Sequence, residues 1–445
     1  MSILHLVLVC TILLLFEVIL LKMEYTSPAV IFTASFAVCS ICTTFLGELW
    51  DIQMIQEETF FLIISSIILF VVIDQITRWA CILLTGSKIK LRIKEDVKQK
   101  PIFVSKTVLY MALMISVVCL FWTCGYILRF AGRGSLNAVM AAYKNVVNTD
   151  VASFGLSRKL LNQFMKIATA STYLCLFIFI HNSGCTNIAK KDKVLYYLTF
   201  AAFVLFRMLL SGGRQGALFF VVAWITMYYI CNTHKMSTVK VKSQRKKYVA
   251  YLIVAICIIF PLFYYSGRMV GRKQTDVLYA ATAYLSTGIY GLEQEIKNHY
   301  HSSYWGEISF PGLYPILKFL GVIPKYLEEQ SFLPFFWHGN TVSLLGRWYW
   351  DFGVMGVYIM LSLVAFAFCW LYYAKIKYAK NGSKRNFAII VYGYCVHVLY
   401  FAGYDDFFMN FPSLNFTLTM LLLYIFYVAI VQYRVKFTYG RRRIR

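Results

Sequence analysis

Apolar stretches of about 20 residues recur from one end of this 445-residue chain to the other. Each is long enough to cross the roughly 30 Å hydrocarbon core of a bilayer. Inside such a core, backbone N–H and C=O groups must bond within a helix or a closed barrel. The runs do not alternate apolar and polar residues as barrel strands do. The expected fold is therefore all-α, a polytopic integral membrane protein forming one membrane domain over 1–445. About eleven spans are expected, at 3–21, 29–47, 59–85, 103–127, 166–183, 194–210, 214–231, 248–266, 350–374, 386–404 and 412–432. The residue makeup agrees, at 60% hydrophobic against about half in soluble domains. In the third span Asp74 and Arg78 stand four residues apart, a spacing at which they are expected to pair.

The net charge of +24 is distributed by side. Lys88, Lys90, Arg92, Lys94, Lys98 and Lys100 share one loop, and Lys190, Lys191 and Lys193 the next. Basic clusters also occupy 235–247, 375–385 and the tail from Arg434 to Arg445. More than half of the 44 Lys and Arg residues lie in these five segments. All five fall on one face of an eleven-span topology, which the positive-inside rule makes the cytoplasm. On this topology the C-terminus is expected in the cytoplasm and the N-terminus outside. The opposite face begins with Glu48, Asp51, Glu57 and Glu58, with no basic residue among them. The charge is assigned to topology and contact with anionic membrane lipids. Nucleic acid is not an expected partner, because no recognition fold accompanies the charge. The first span has no basic lead-in and no small-residue cleavage site, so it is expected to be retained. The twelve cysteines are scattered. Cys39 and Cys42 form a CxxC inside an apolar helix with no histidine pair, which suits packing rather than zinc.

Two outer segments exceed simple connectors. One covers 128–165. The other, 267–349, lies between spans 8 and 9 and is expected to be partly helical. It holds His299, His301 and His338, dense aromatics (Tyr300, Tyr304, Trp305, Phe310, Tyr314, Phe335, Phe336, Trp337) and balanced charges. A mixed, aromatic-rich outer loop suits sugars, since ring faces stack on pyranoses while carboxylates and amides bond hydroxyls. The sequence has no Walker A, GxSxG, HExxH or EF-hand motif, so ATP-driven transport, serine hydrolysis and zinc proteolysis lack support.

The most telling residues are ordered along the chain. Gly212-Gly213-Arg214-Gln215-Gly216 opens the seventh span. The large loop then ends in His338-Gly339-Asn340-Thr341, followed by Leu345-Gly346-Arg347-Trp348-Tyr349-Trp350-Asp351-Phe352-Gly353-Val354-Met355-Gly356. This order resembles the Wzy-type polymerases of bacterial O-antigen and capsular polysaccharides, the oligosaccharide repeat unit polymerases. The resemblance covers the whole layout but only about thirty residues in motifs.

That resemblance implies a membrane glycosyltransferase without metal or other cofactor. Its donor would be a growing glycan on undecaprenyl diphosphate, its acceptor one repeat unit on a second such carrier, and a separate co-polymerase would set chain length. The leaving diphosphate gains charge as the glycosidic bond breaks, and guanidinium groups offer permanent, bidentate donors for it. Candidates are Arg214 and Arg268, then Arg347, Arg272 and Arg207. The acceptor hydroxyl is a poor nucleophile, which a base assists. His338 is the first candidate, with Glu293 and Asp351 behind it; Asp351 is equally placed to cap the ninth span. Asn340, Trp337 and Tyr349 are candidates for holding sugar, and Asp405 and Asp406 lie at the outer end of the tenth span.

Two other functions share parts of this pattern. An O-antigen ligase shares the outer loop and arginines, although the Asn-Thr and Asp-Phe-Gly arrangement leans toward the polymerase. A flippase or exporter of lipid-linked oligosaccharide predicts charged residues lining the mid-membrane, short outer loops and repeated halves; this sequence instead concentrates its polar chemistry at the outer face and shows no internal repeat.

Overall fold

The computed structural model describes residues 1–46, 54–84, 101–131, 134–135, 138–139, 142–143, 155–183, 199, 202, 215–233, 249–250, 253–254, 264–265, 277–298, 305–322, 341–379 and 382–432. Its helices are α1 (Ile3–Leu15), α2 (Pro28–Leu46), α3 (Glu57–Leu84), α4 (Lys106–Ala131), α5 (Gly155–Ser183) and α6 (Gln215–Thr233). They continue as α7 (Val277–Asn298), α8 (Tyr314–Phe319), α9 (Leu344–Trp370), α10 (Ser383–Cys395), α11 (His397–Tyr400) and α12 (Leu414–Tyr427). Three helices run on into π-helical turns, at Phe16–Leu20, Leu371–Lys377 and Val428–Gln432. Among the described residues no named strand forms; the one β feature is an isolated bridge between Ser2 and Met54.

Eight helices among the described residues are long and apolar enough to cross a membrane: Ile3–Leu20, Pro28–Leu46, Glu57–Leu84, Lys106–Arg129, Gly155–Ser183, Gln215–Thr233, Leu344–Lys377 and Leu414–Gln432. The protein is an all-α, multi-pass membrane protein. The expected spans at 194–210 and 248–266 fall almost wholly outside the described residues. The expected tenth span is built differently. α10 ends at Cys395, a turn at Val396 follows, and α11 is a single turn. The backbone then folds through Phe401–Tyr404 rather than continuing as one helix.

The chain divides into two compact units. The first comprises 1–91, 275–381 and 395–417, and the second 92–274, 382–394 and 418–445.

In the first unit α3 and α9 lie side by side and run the same way. Ser65 and Tyr358 share a hydrogen bond at 2.7 Å near their starts, and Tyr373 donates to Asp74 at 2.6 Å further along. α1 runs with them, since Ile55 N–H donates to the Met1 carbonyl at one end and Arg78 to the Leu21 carbonyl at the other. α2 returns between them, its first turn presenting Ala29 N–H to Asp74 at 3.4 Å. Polar groups at the finishing end of α3 and α9 are thus paired within the protein, as a low-dielectric setting demands. Asp74 also accepts from the Cys369 thiol, Tyr372 donates to Glu24 at 2.6 Å, and Lys377 lies 3.4 Å from Glu24. The expected Asp74–Arg78 pairing gives way to these partners. Tyr373 and the start of α2 take the carboxylate, while the backbone carbonyl of Leu21 takes the guanidinium.

α7, expected within the large outer loop, is built into this unit. It packs along α2 and α9, and Ser343 N–H donates to its Gly288 carbonyl at 3.0 Å. Its small residues Ser286, Thr287 and Gly288 allow a close approach of backbones, and a Cβ at Gly288 would collide with the Gly403 carbonyl.

The second unit has its own core. Cys119, Tyr126, Ile127, Val139, Tyr143, Leu161 and Ala168 form one buried cluster from α4, α5 and the segment between them. Tyr173 meets Phe220 of α6 and stands edge-on to Tyr394 of α10, with ring centroids 5.5 and 4.7 Å apart. Asn182 exchanges two hydrogen bonds with the backbone of Ile102, at 2.9 and 2.8 Å.

Candidate functional site

The starting end of α3 and α9 in the first unit gathers the described candidate residues. Arg347 lies on the first turn of α9, is 9% exposed, and donates through Nη2 to Asp405 Oδ1 at 3.3 Å. Asp405 also accepts the Asp406 N–H at 2.9 Å, and Asp406 accepts the Phe408 N–H at 2.8 Å. This tight turn brings two carboxyls to one guanidinium. Burial pushes the Asp406 carboxyl up to about 7, with Arg347 opposing and Asp405 adding to the rise. Burial also raises Asp405, which Arg347 and the hydrogen bond to it partly offset.

Glu295 of α7 is the third buried acid and is fully enclosed. A Cβ at Gly346 would overlap Val342 Cγ1 and lie 2.8 Å from Glu295 Oε2, so the glycine leaves the space that these two side chains fill. Burial drives this carboxyl well above the ordinary carboxylate value, Arg347 pulls it back and Asp351 pushes it further up. In the sequence Glu295 stands only as one of the loop's balancing charges. The local signal is Gly346 beside Arg347, a small residue next to a cation. Its partner stands about 50 positions away, far beyond the window of a helical or strand pattern.

The Asp-Phe-Gly-x-x-Gly motif forms one device. Asp351 accepts the backbone N–H groups of Ile308 and Ser309, the latter at 2.6 Å, and so fixes the turn 305–310 against α9. Phe352 packs on Trp305 and Phe310, with centroids 4.7 and 6.0 Å apart. Gly353 has φ 64° and ψ −170°, a conformation open essentially to glycine alone, and it kinks α9 at this point. A Cβ at Gly356 would overlap Phe352 Cβ. Asp351 therefore sits just before a kink inside the helix, seven residues after its start at Leu344, rather than at the helix N-cap.

Glu293 takes a different position from Glu295. Both its oxygens accept the Gln56 N–H at 3.1 Å, and the Thr59 hydroxyl donates to Oε2. These are first-turn donors of α3, where a carboxylate also complements the helix dipole. Tyr349 is buried at 5% exposure, with Glu58 and Glu295 close enough to act on its hydroxyl. Thr341, from the Asn-Thr pair, shares a hydrogen bond with Thr287 of α7. Arg207, Arg214, Arg268, Arg272, Trp337, His338 and Asn340 lie outside the described residues.

The site thus joins buried acids, one buried arginine and a clamped aromatic turn on a kinked helix of a polytopic membrane protein. No protein-family model, curated protein or solved structure matches the chain. The class defined by the architecture is that of mostly helical, multi-pass membrane proteins.

Proposed function

We propose that this protein polymerises lipid-linked oligosaccharide repeat units at the outer face of a bacterial plasma membrane. One observation carries the reading. The residues that resemble the repeat unit polymerases, Leu345 to Gly356, meet buried acids from α7 and the 401–407 turn at a single end of the first unit. Polar chemistry collected at one helix end suits a reaction between two membrane-anchored substrates whose sugars project from the bilayer.

In this reading the acceptor hydroxyl attacks the anomeric carbon of the growing glycan, and undecaprenyl diphosphate leaves. Arg214, Arg268 and Arg272, with Arg207 behind them, hold the diphosphate, because its growing charge needs fixed cations in a water-poor site. Arg347 is committed to Asp405; its task is to order the acidic pocket and to stabilise charge there. Asp351 holds the aromatic turn around Trp305, whose exposed face (77%) is suited to stacking on a sugar.

A surface-glycan gel tests the reading, using a strain lacking the chain and complemented with wild type or Arg214→Ala. The expected pattern for both the deletion and the variant is core carrying a single repeat unit. Bare core with long polymer retained on undecaprenyl diphosphate would make the protein a ligase. Single lipid-linked repeats held on the cytoplasmic side would make it a flippase. In purified protein, Arg214→Lys is expected to lose about 10²–10³ in rate, the usual effect of losing one charge-stabilising donor. Activity is expected to survive EDTA; loss restored by Mg²⁺ would end the arginine-only mechanism.

A further inference from the structure

Several polar atoms around the first turn of α9 have no hydrogen-bond partner among the described residues. They are both carboxyl oxygens of Glu295, Asp406 Oδ2, Arg347 Nε, Ser343 Oγ and Trp348 Nε1. Buried polar groups are nearly always bonded, and exceptions mark an unfilled partner or a chemical role. The acids here divide sharply. Glu293 is taken up by Gln56 and Thr59, Asp351 by Ile308 and Ser309, and Asp405 by Arg347 and Asp406. Glu295 alone of these four has neither oxygen hydrogen-bonded among the described residues, and its Oε2 lies over Gly346 beside the Val342 side chain.

We propose that Glu295 is the catalytic base that takes the proton from the acceptor hydroxyl. The inference rests on the polymerase reading above. As the acceptor oxygen bonds to the anomeric carbon, its proton passes to a Glu295 oxygen. The bond from that carbon to the phosphate oxygen breaks, and its electron pair leaves with undecaprenyl diphosphate. Glu295 then returns the proton to water. The electrostatics suit the task. Burial raises the carboxyl well above its ordinary range, Arg347 opposes the rise and Asp351 adds to it, so its ionised form is a stronger base than an exposed carboxylate. The charged and titratable groups facing it are Arg347, Tyr349 and Asp351 of α9, with Glu58 of α3 acting on Tyr349. α2, packed along the same helix, carries no charged residue.

The test uses full-length protein in liposomes, with lipid-linked repeat units extracted from a strain lacking the chain. Glu295→Gln keeps the shape but cannot take a proton. It is expected to lower kcat by about 10²–10⁴ with KM little changed, and to lose the fall in rate that wild type shows toward acid pH. Formate is expected to restore part of the rate of Glu295→Ala, which a purely structural role does not allow. If Glu295→Gln fails to fold, Glu295→Asp serves, with reduced kcat and the acid limb retained. Near-wild-type kcat in folded Glu295→Gln with the acid limb intact overturns the assignment and leaves the polymerase reading standing. Loss of that limb in His338→Gln instead overturns it in the same way. A wild-type protein that makes no polymer from these lipids overturns the polymerase reading, and the base with it.

Discussion

Asp406 is an acid that folding makes harder to ionise. Its carboxyl moves from the ordinary 3.8 to about 7, with burial as the main cause. An acid with a raised folded-state pKa favours folding fully only below its unfolded value. Between about pH 4 and 7 the unfolded chain holds fewer protons than the folded one, so stability falls by roughly 1.4 kcal/mol per pH unit and levels off above 7. Detergent-purified protein is therefore expected to show a Tm that declines from pH 5 to 7 and flattens beyond. Asp406→Asn is expected to make that decline shallower, the remainder belonging to Glu295 and Asp405, whose carboxyls burial also raises; an unchanged slope in the variant would reject the assignment. At this scale the sequence shows residue types but not their partners. Arg347 and Asp351 stand out within a dense motif. The contact from Arg347 to Asp405 spans 58 positions, and the difference between Glu293 and Glu295 depends on helices α3 and α9 that no local pattern connects to α7.

Elements explain the motif better than its residues do singly. In α9, Asp351 anchors the 305–310 turn, Phe352 packs on Trp305 and Phe310 of that turn, and Gly353 supplies the kink that follows both. Gly353→Ala forces an alanine into a region that costs about 1–3 kcal/mol. It is expected to lower Tm by several degrees and to cut activity more than Gly382→Ala, a glycine where an added methyl group meets nothing within 4 Å and φ is not positive. Equal effects in the two variants, measured by thermal shift and polymer yield, would remove the kink from the argument. The helices themselves are legible, because runs of about 20 apolar residues leave few alternatives. Their interruptions are less so. The break at Val396 and the three π-helical endings occur within hydrophobic sequence that reads as continuous. The Asp74–Arg78 spacing fits an isolated helix, yet packing supplies Tyr373 and Leu21 as nearer partners.

At the scale of the whole molecule, the shared direction of α1, α3 and α9 constrains topology. Helices running the same way begin on the same side, so Glu57 and Trp305 belong to one face and Lys375 to the other. In a variant without the twelve native cysteines, a membrane-impermeant maleimide applied to spheroplasts is expected to label Glu57→Cys and Trp305→Cys. Lys375→Cys is expected to react only after lysis. Labelling of all three in intact cells would break the proposed orientation. The lysine-rich loops carry the sequence's case for this orientation, whereas the packing of α7 within the helical unit is hidden by its modest hydrophobicity.

The parallel pair has a mechanical consequence. α3 is 28 residues long and the α9 span covers 34, which at helical rise is about 40–50 Å against roughly 30 Å of hydrocarbon. Helices this long tilt, kink or project beyond the hydrocarbon, and being bonded to each other at two points α3 and α9 do so together. In the proposed polymerase, lipid chain length would then set how far the Arg347 end stands above the bilayer, and membrane thickness is expected to tune substrate access without altering a contact among the buried acids.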